Sequence, residues 1–309
     1  MRVLITGATG QLGRALLRHQ PTHLSGTTVE CIATSRNGGD GSLSLDLSDS
    51  EACRAVVRDY QPHWVLNAGA YTAVDQAEAE PDLAYAINAG APAAFADVLQ
   101  GYGGRLLQIS TDFVFNGDQN VPYRPEQLTS PLGSYGVSKA AGEQAVLNRL
   151  GQKGLAVILR TSWVYGPVGR NFLLTMLRLH AERAAEGRPL SVVSDQFGSP
   201  TATDGLAVAC WRVLQRQSEE AQALPSILHW SDAGITTWYE FAVAIGEMAV
   251  DCGLLTQAAD VCPIPSSAYP TPAKRPPYSV LDCGMTSAVL GIAPHDWRES
   301  LADVLRHMV

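Results

Sequence analysis

Arg2-Val3-Leu4-Ile5-Thr6-Gly7-Ala8-Thr9-Gly10-Gln11-Leu12-Gly13 is the stretch that decides the fold. Arg2–Thr6 reads as a buried strand, and a helix through His19 opens directly behind the glycines. The spacing is G-x-x-G-x-x-G. Gly7 permits a tight turn, Gly10 lets a pyrophosphate approach the backbone, and Gly13 brings helix and sheet together. Backbone N–H groups at the helix start then bind negative charge. Glycine-rich turns are common, so the strand–turn–helix context is what makes this a dinucleotide-binding signal. Thr9, Gln11 and Leu12 lie in the same turn and are expected to contact the cofactor beside the glycines.

Outward from this turn, Cys31–Thr34, Trp64–Asn67, Leu106–Ser110 and Ala156–Arg160 are further apolar runs. Nearly continuous apolar character suits parallel strands covered on both faces. Helical stretches separate them. Ser48-Asp49-Ser50-Glu51 reads as a capping box before 52–60, with Ser48 as the capping residue. Asp82–Gln100 carries apolar residues at 83, 84, 87, 91, 94, 95 and 98, a helical stripe. This alternation predicts an α/β fold, a Rossmann-type doubly wound parallel sheet, over residues 1–166.

After Gly166 the alternation breaks. Helices are expected over 171–186, over 203–217 and from the Thr237-Trp238-Tyr239-Glu240 capping box to about Met248, with a strand at 190–193. Residues 263–277 are proline-rich and read as extended or loop. The expectation is a smaller C-terminal α+β substrate domain over 167–309, with a helix near 202–217 rejoining the first domain.

The second strand selects the cofactor. A carboxylate at its end would hold the 2′-hydroxyl of NAD, but Ala33-Thr34-Ser35-Arg36 has none. Ser35 can donate a hydrogen bond and Arg36 can pair with a 2′-phosphate. NADP(H) is therefore expected over NADH, with Asp46 and Leu47 beside the adenine.

Composition removes whole classes of function. The 309 residues are 46% hydrophobic and 17% charged, too apolar for a disordered chain. No apolar run approaches the roughly 20 residues of a membrane span, and a strand at the very start leaves no room for a cleavable signal peptide. Net charge is −8 with no basic cluster, which argues against nucleic-acid binding. The six cysteines are scattered without metal-ligand spacing and read mostly as small core residues in a reducing cytoplasm.

Two segments carry the chemistry. Ser110-Thr111-Asp112-Phe113 lies at the end of the fourth long strand, where open α/β sheets bind ligands. Tyr135-Gly136-Val137-Ser138-Lys139 starts the next helix, and i,i+4 spacing puts phenol and amine on one face. An ammonium beside the phenol is expected to lower its pKa from roughly 10. Such a tyrosine can exchange a proton with a carbonyl oxygen, and Thr111 can hydrogen-bond the same oxygen.

With these motifs the sequence resembles the extended short-chain dehydrogenase/reductases, and within them the dTDP-4-dehydrorhamnose reductases. The match also rests on Asn67-Ala68-Gly69-Ala70-Tyr71-Thr72-Ala73-Val74-Asp75 and on 110–117. It continues through Arg160-Thr161-Ser162-Trp163-Val164-Tyr165-Gly166, Asp195-Gln196-Phe197-Gly198-Ser199-Pro200-Thr201, and Arg275-Pro276 with Ser279 and Leu281-Asp282. The blocks span nearly the whole chain.

The resemblance implies NADPH-dependent reduction at C4 of a nucleotide-linked 4-keto-6-deoxyhexose, dTDP-4-dehydro-L-rhamnose first among them, for a surface polysaccharide or a secondary metabolite. Tyr135 would protonate the oxygen, Lys139 would tune Tyr135 and hold the nicotinamide ribose, and Thr111 would take the superfamily's Ser/Thr place. Ala68, Gly69, Ala70 and Tyr71 would join the cofactor contacts. Val74, Asp112, Phe113, Tyr135 and Trp163 would surround the substrate, with Asn171, Gln196 and Arg275 on the outer wall and Arg275 as a phosphate fork. Asn88 matches the superfamily's structural asparagine. Pro92 has no N–H for the Asn88 carbonyl, which could then hold a water behind Lys139.

Some bacterial members of similar fold dimerise through a metal held by carboxylates, one of them near the start of the first helix. Gly13-Arg14-Ala15 offers none there, so no metal is expected and the chain reads as a monomer or weak homodimer. Nucleotide-sugar dehydratases place Asp-Glu after the threonine, where this chain has Asp112-Phe113. An epimerase would retain NAD, against which Arg36 speaks. A non-catalytic subunit resembling the regulatory subunit of methionine adenosyltransferase is the alternative from another class; the intact Thr111, Tyr135 and Lys139 favour catalysis.

Overall fold

The computed structural model describes residues 1–39, 41–219 and 223–308. Seven strands form one all-parallel sheet: β1 (Arg2–Thr6), β2 (Glu30–Ser35), β3 (Leu43–Ser44), β4 (Trp64–Asn67), β5 (Arg105–Thr111), β6 (Ala156–Thr161) and β11 (Ile227–His229). Their spatial order is β3-β2-β1-β4-β5-β6-β11. The order reverses at β1, so the crevice beyond the carboxyl ends of β1 and β4 is the expected ligand position.

Alternate side chains of the central strands feed two cores. Val3, Ile5, Trp64, Leu66, Leu107 and Val157 face helices α1 (Gln11–Arg18), α7 (Thr203–Glu219) and α9 (Gly284–Leu290). Leu4, Val65, Leu106 and Ile158 face α2 (Ser50–Tyr60), α4 (Ala91–Tyr102) and α5 (Ser134–Leu150). Both faces are covered, which is why these strands show no polar alternation.

A second body packs α6 (Phe172–Glu186), α8 (Trp238–Asp251) and α10 (Trp297–Arg306) around Phe241, Ile245, Trp297 and Leu301. It holds three small ladders. β7 (Val164–Tyr165) pairs with β10 (Thr201–Ala202), β8 (Leu190–Val193) with β13 (Val261–Ile264), and β9 (Phe197–Gly198) with β12 (Thr236–Thr237). The chain beyond residue 166 serves both bodies. α7 packs on α1, β11 extends the main sheet and α9 lies against α7 and β11, while the rest builds the second core.

Three local expectations change. Asp49, not Ser48, caps α2: its carboxylate accepts from the Glu51 and Ala52 amides, while Ser48 bonds to Asp46. The 82–100 helix is interrupted. α3 (Pro81–Tyr85) passes through one π turn at Ala86–Gly90, where the Ala91 amide reaches back to the Ala86 carbonyl, before α4 begins. Ala84, Ile87, Ala91, Ala94 and Phe95 are buried and Val98 is half-buried, while Leu83 faces outward. Of the cysteines, Cys53 and Cys210 are buried and Cys262 is exposed. Among the described residues no helix is long and apolar enough to cross a membrane.

Candidate active site

The turn from β1 into α1 is built as its glycines require. Gly7 has φ +64°, and a Cβ there would stand 2.7 Å from Gly69 Cα. A Cβ at Gly13 would lie 2.2 Å from the Gly7 carbonyl oxygen, so any side chain would force helix from sheet. A Cβ at Gly10 would meet only that carbonyl oxygen, at 3.2 Å, and otherwise project into open space. No side chain caps α1 and no carboxylate lies in its first turn. The turn is thus a bare cradle of backbone donors suited to a pyrophosphate.

It opens into a cavity of about 830 Å³ across the carboxyl ends of the sheet strands. The glycine turn (Gly7, Thr9, Gly10, Gln11, Leu12, Gly13) lines one end with Arg36, Leu47 and Ala68, Gly69 and Ala70. Thr111, Asp112, Phe113, Tyr135, Lys139 and Trp163 line the other, with Val74 and Arg275. Residues expected at two ends of one reaction therefore share one cavity.

β5 and α5 place the chemical groups. The Thr111 hydroxyl donates to Asp112 Oδ1 at 3.0 Å and accepts from the Phe113 amide at 3.2 Å. The Phe113 ring meets Tyr135 edge-on, with centroids 5.7 Å apart. Lys139 Nζ donates to the Ile109 carbonyl at 2.7 Å. One turn further along α5, Glu143 is buried, accepts from Ser110 and makes a two-point pair with buried Arg160, at 2.9 and 2.7 Å. This ion pair ties α5 to β5 and β6 immediately behind Thr111.

The expected lowering of the Tyr135 pKa is overturned. Burial lifts the phenol to about 12; the Asp112 charge adds to the rise, and a hydrogen bond with Thr111 opposes it. The same desolvation lowers Lys139 to about 8, with the Glu143 charge pulling the other way. Burial penalises whichever form is charged, so the phenol rises and the amine falls. At neutral pH the pair is therefore a protonated phenol beside a charged amine, the state a proton donor needs. Burial also raises Asp112 to about 6, with side-chain bonds from Ser279 and Thr111 opposing the rise.

Several expected residues lie outside the cavity lining. Ser35 is buried and its hydroxyl pairs with Ser42 at 2.8 Å. Asp46 is turned to the Ser48 amide and hydroxyl, which hold its carboxyl below the usual range. The Tyr71 hydroxyl donates to Glu80 at 2.7 Å, and its backbone is gripped by Asn88, which accepts from its amide at 2.9 Å and donates to its carbonyl at 3.0 Å. Asn171 caps α6 and donates to the Gly166 carbonyl at 2.9 Å. Gln196 is half-buried and does not line the cavity. Arg275 does line it, but its fork is already engaged by Asp75, at 2.7 and 3.1 Å. The Asn88 carbonyl faces Gly142, where a Cβ would lie 2.1 Å from the oxygen.

The cavity also recruits residues with no sequence signal for binding. Arg170 reaches it from the loop before α6, and Trp238 from the first turn of α8. The capping box at Thr237 marks the start of α8, but only the folded arrangement brings that start to the cleft.

Comparison with known proteins agrees with this geometry. A Bacillus subtilis spore coat polysaccharide biosynthesis protein is 40% identical over 99% of this chain and 97% of its own length. A dTDP-4-dehydrorhamnose reductase of Aggregatibacter actinomycetemcomitans is 35% identical over 98% of both chains. The crystal structure of dTDP-4-dehydrorhamnose reductase from Bacillus anthracis in complex with NADP superposes with a TM-score of 0.83 at 34% identity, covering 99% of both chains. The family model described as RmlD substrate binding domain matches residues 1–309, and this chain belongs to that family.

Proposed function

We propose that this chain reduces the C4 keto group of a nucleotide-linked 4-keto-6-deoxyhexose, dTDP-4-dehydro-L-rhamnose to dTDP-L-rhamnose, with NADPH as reductant. The observation that carries the reading is that Thr111, Tyr135 and Lys139 line the same cavity as an uncapped glycine turn and Arg36. The relatives' activity and the NADP held by a neighbour of the same fold support it.

NADPH, when bound, supplies the hydride. The glycine turn and the N-terminus of α1 hold its pyrophosphate, and exposed Arg36 pairs with its 2′-phosphate. Thr111 and Tyr135 converge on the ketone oxygen, and Tyr135 Oη releases its proton there as the carbonyl becomes an alcohol. The positive charge of Lys139 stabilises the phenolate left behind, which accepts a proton again before the next turnover. Phe113, packed on Tyr135, occupies the position where a dehydratase needs a glutamate, so the site reduces without eliminating water.

Residues 1–166 with α7, β11 and α9 form the cofactor half and the remainder of 167–309 the sugar half, in a cytoplasmic monomer or weak homodimer, which sedimentation at micromolar concentration checks. The deciding experiment follows NADPH oxidation with dTDP-4-dehydro-L-rhamnose. Tyr135→Phe is expected to lower kcat by about 10²–10⁴-fold with unchanged NADPH binding. NADPH binding by the unaltered protein with no turnover on any 4-keto-6-deoxy nucleotide sugar would replace this reading with a regulatory one.

A further inference from the structure

We propose that Trp238 is a positioning residue for the nucleotide sugar: stacked on Trp163, it holds that indole in the cavity wall from the first turn of α8. The identity of the ligand rests on the function proposed above; the geometry does not.

Trp163 follows β6 and has φ +46°, a left-handed backbone that a bulky L-residue rarely adopts. Such a conformation persists only where the surroundings over-determine it, and it gathers at ligand clamps. Here the surroundings are specific. The Trp238 ring stacks on Trp163 with centroids 3.5 Å apart and planes 8° from parallel. Gly198 closes on the same indole, where a Cβ would lie 2.4 Å from Cε2 and 2.7 Å from Nε1. The clamp is itself anchored. Trp238 is the first residue of α8, fixed by the Thr237–Glu240 capping box, and Phe172 of α6 braces its ring with centroids 4.6 Å apart.

Both indoles line the cavity that holds Thr111 and Tyr135. Trp163 is carried by the segment leaving the main sheet, Trp238 by a helix of the second body. Both indoles pack on the core of the second body, so the stack fixes that body's wall of the cleft. Removing the Trp238 ring leaves Trp163 free to leave its left-handed conformation, and the wall loses its shape without loss of any reacting group.

Trp238→Ala is expected to raise KM for the nucleotide sugar about tenfold, with kcat and the NADPH Kd changed by no more than about twofold. Trp238→Phe, which still stacks, should recover most of the loss. Gly198→Ala, which presses on Trp163 from its other contact, should raise the same KM. The paired indoles should also give a near-ultraviolet circular dichroism couplet that Trp238→Ala and Trp163→Ala each abolish. The proposal is overturned if Trp238→Ala loses the couplet yet keeps the sugar KM, if NADPH Kd rises in parallel, or if phenylalanine does not rescue. Should no 4-keto sugar be turned over, dTDP binding read by tryptophan fluorescence separates the two ideas. A Kd raised about tenfold in Trp238→Ala supports the stack, and an unchanged Kd ends it.

Discussion

Tyr135 and Lys139 share one face of α5, and burial moves them in opposite directions, the phenol up to about 12 and the amine down to about 8. The phenol thus stays protonated across the physiological range, and the group that titrates within reach is Lys139. In reduction, kcat/KM is expected to hold up to about pH 8 and to fall above it as Lys139 loses its charge. Because the Glu143 carboxylate raises the Lys139 pKa, Glu143→Gln should move that fall to lower pH; a pH–rate profile that stays in place would show that Glu143 acts only through packing. Arg36 supports a second test. It is exposed at the cavity and makes no side-chain ion pair among the described residues. Arg36→Ala should raise KM for NADPH by about tenfold or more, the scale of a charge-assisted hydrogen bond, with little effect on NADH. Equal losses with both cofactors would remove the 2′-phosphate from the account. Both arginine and tyrosine could be singled out in the sequence because their roles follow from local spacing, next to a strand end or at i,i+4. The direction of the Tyr135 shift could not, because it depends on how deeply α5 is buried.

The element that organises the site is α5, with the π turn beside it. Asn88 lies in that turn; its side chain grips Tyr71 and donates to Ser138 Oγ at 3.0 Å, while Ser138 donates to the Tyr135 carbonyl at 2.8 Å. One asparagine therefore joins the loop after β4 to the start of α5, which carries Tyr135 and Lys139. Close approach depends on Gly142, since an added methyl would lie 2.1 Å from the Asn88 carbonyl oxygen, which is backbone and cannot swing aside. Gly142→Ala should destabilise the fold by about 1–3 kcal/mol in urea denaturation, the usual scale of overpacking. It should also impair catalysis, because the shift displaces Lys139 one turn away. Unaltered stability would mean that the helices can part freely. Helix periodicity could announce the 82–100 segment but not its π turn, because a one-residue change of hydrogen-bond register leaves the apolar pattern nearly intact. The cap at Asp49 was similarly hidden, since serine and aspartate compete as caps in neighbouring positions and Ser48 was drawn away by Asp46.

For the molecule as a whole, the junction between the two bodies carries a buried acid. Asp232 accepts from the Ala202 amide at 2.9 Å and is lifted to about 7, chiefly by burial, with the Ala202 and Ser300 hydrogen bonds opposing the rise. A carboxyl whose folded pKa exceeds its unfolded value favours the neutral form in the fold. Its stabilising effect is complete below the unfolded value and is lost as pH rises through about 7. Asp232→Asn keeps an oxygen for the Ala202 amide and cannot ionise. The variant should therefore gain on the parent as pH rises from about 4 to about 7, with Tm higher at pH 8.5 by on the order of 2–4 °C and no such gain below about pH 4. A difference independent of pH would show that Asp232 does not titrate in the fold.

The sequence by itself determined the parallel sheet, the glycine turn, the Thr111–Tyr135–Lys139 set and the absence of a carboxylate at the end of β2. Each is written in contiguous residues whose spacing matches one strand, one turn or one helical face. Only the tertiary structure decided which candidates share a cavity. It removed Ser35, Asp46 and Tyr71 from the lining, each held by a neighbour of its own, and turned the Arg275 fork onto Asp75. It also brought Trp238 against Trp163. Contacts between residues far apart in the chain, and the desolvation that sets a buried pKa, arise from packing many elements at once, and no local pattern encodes them.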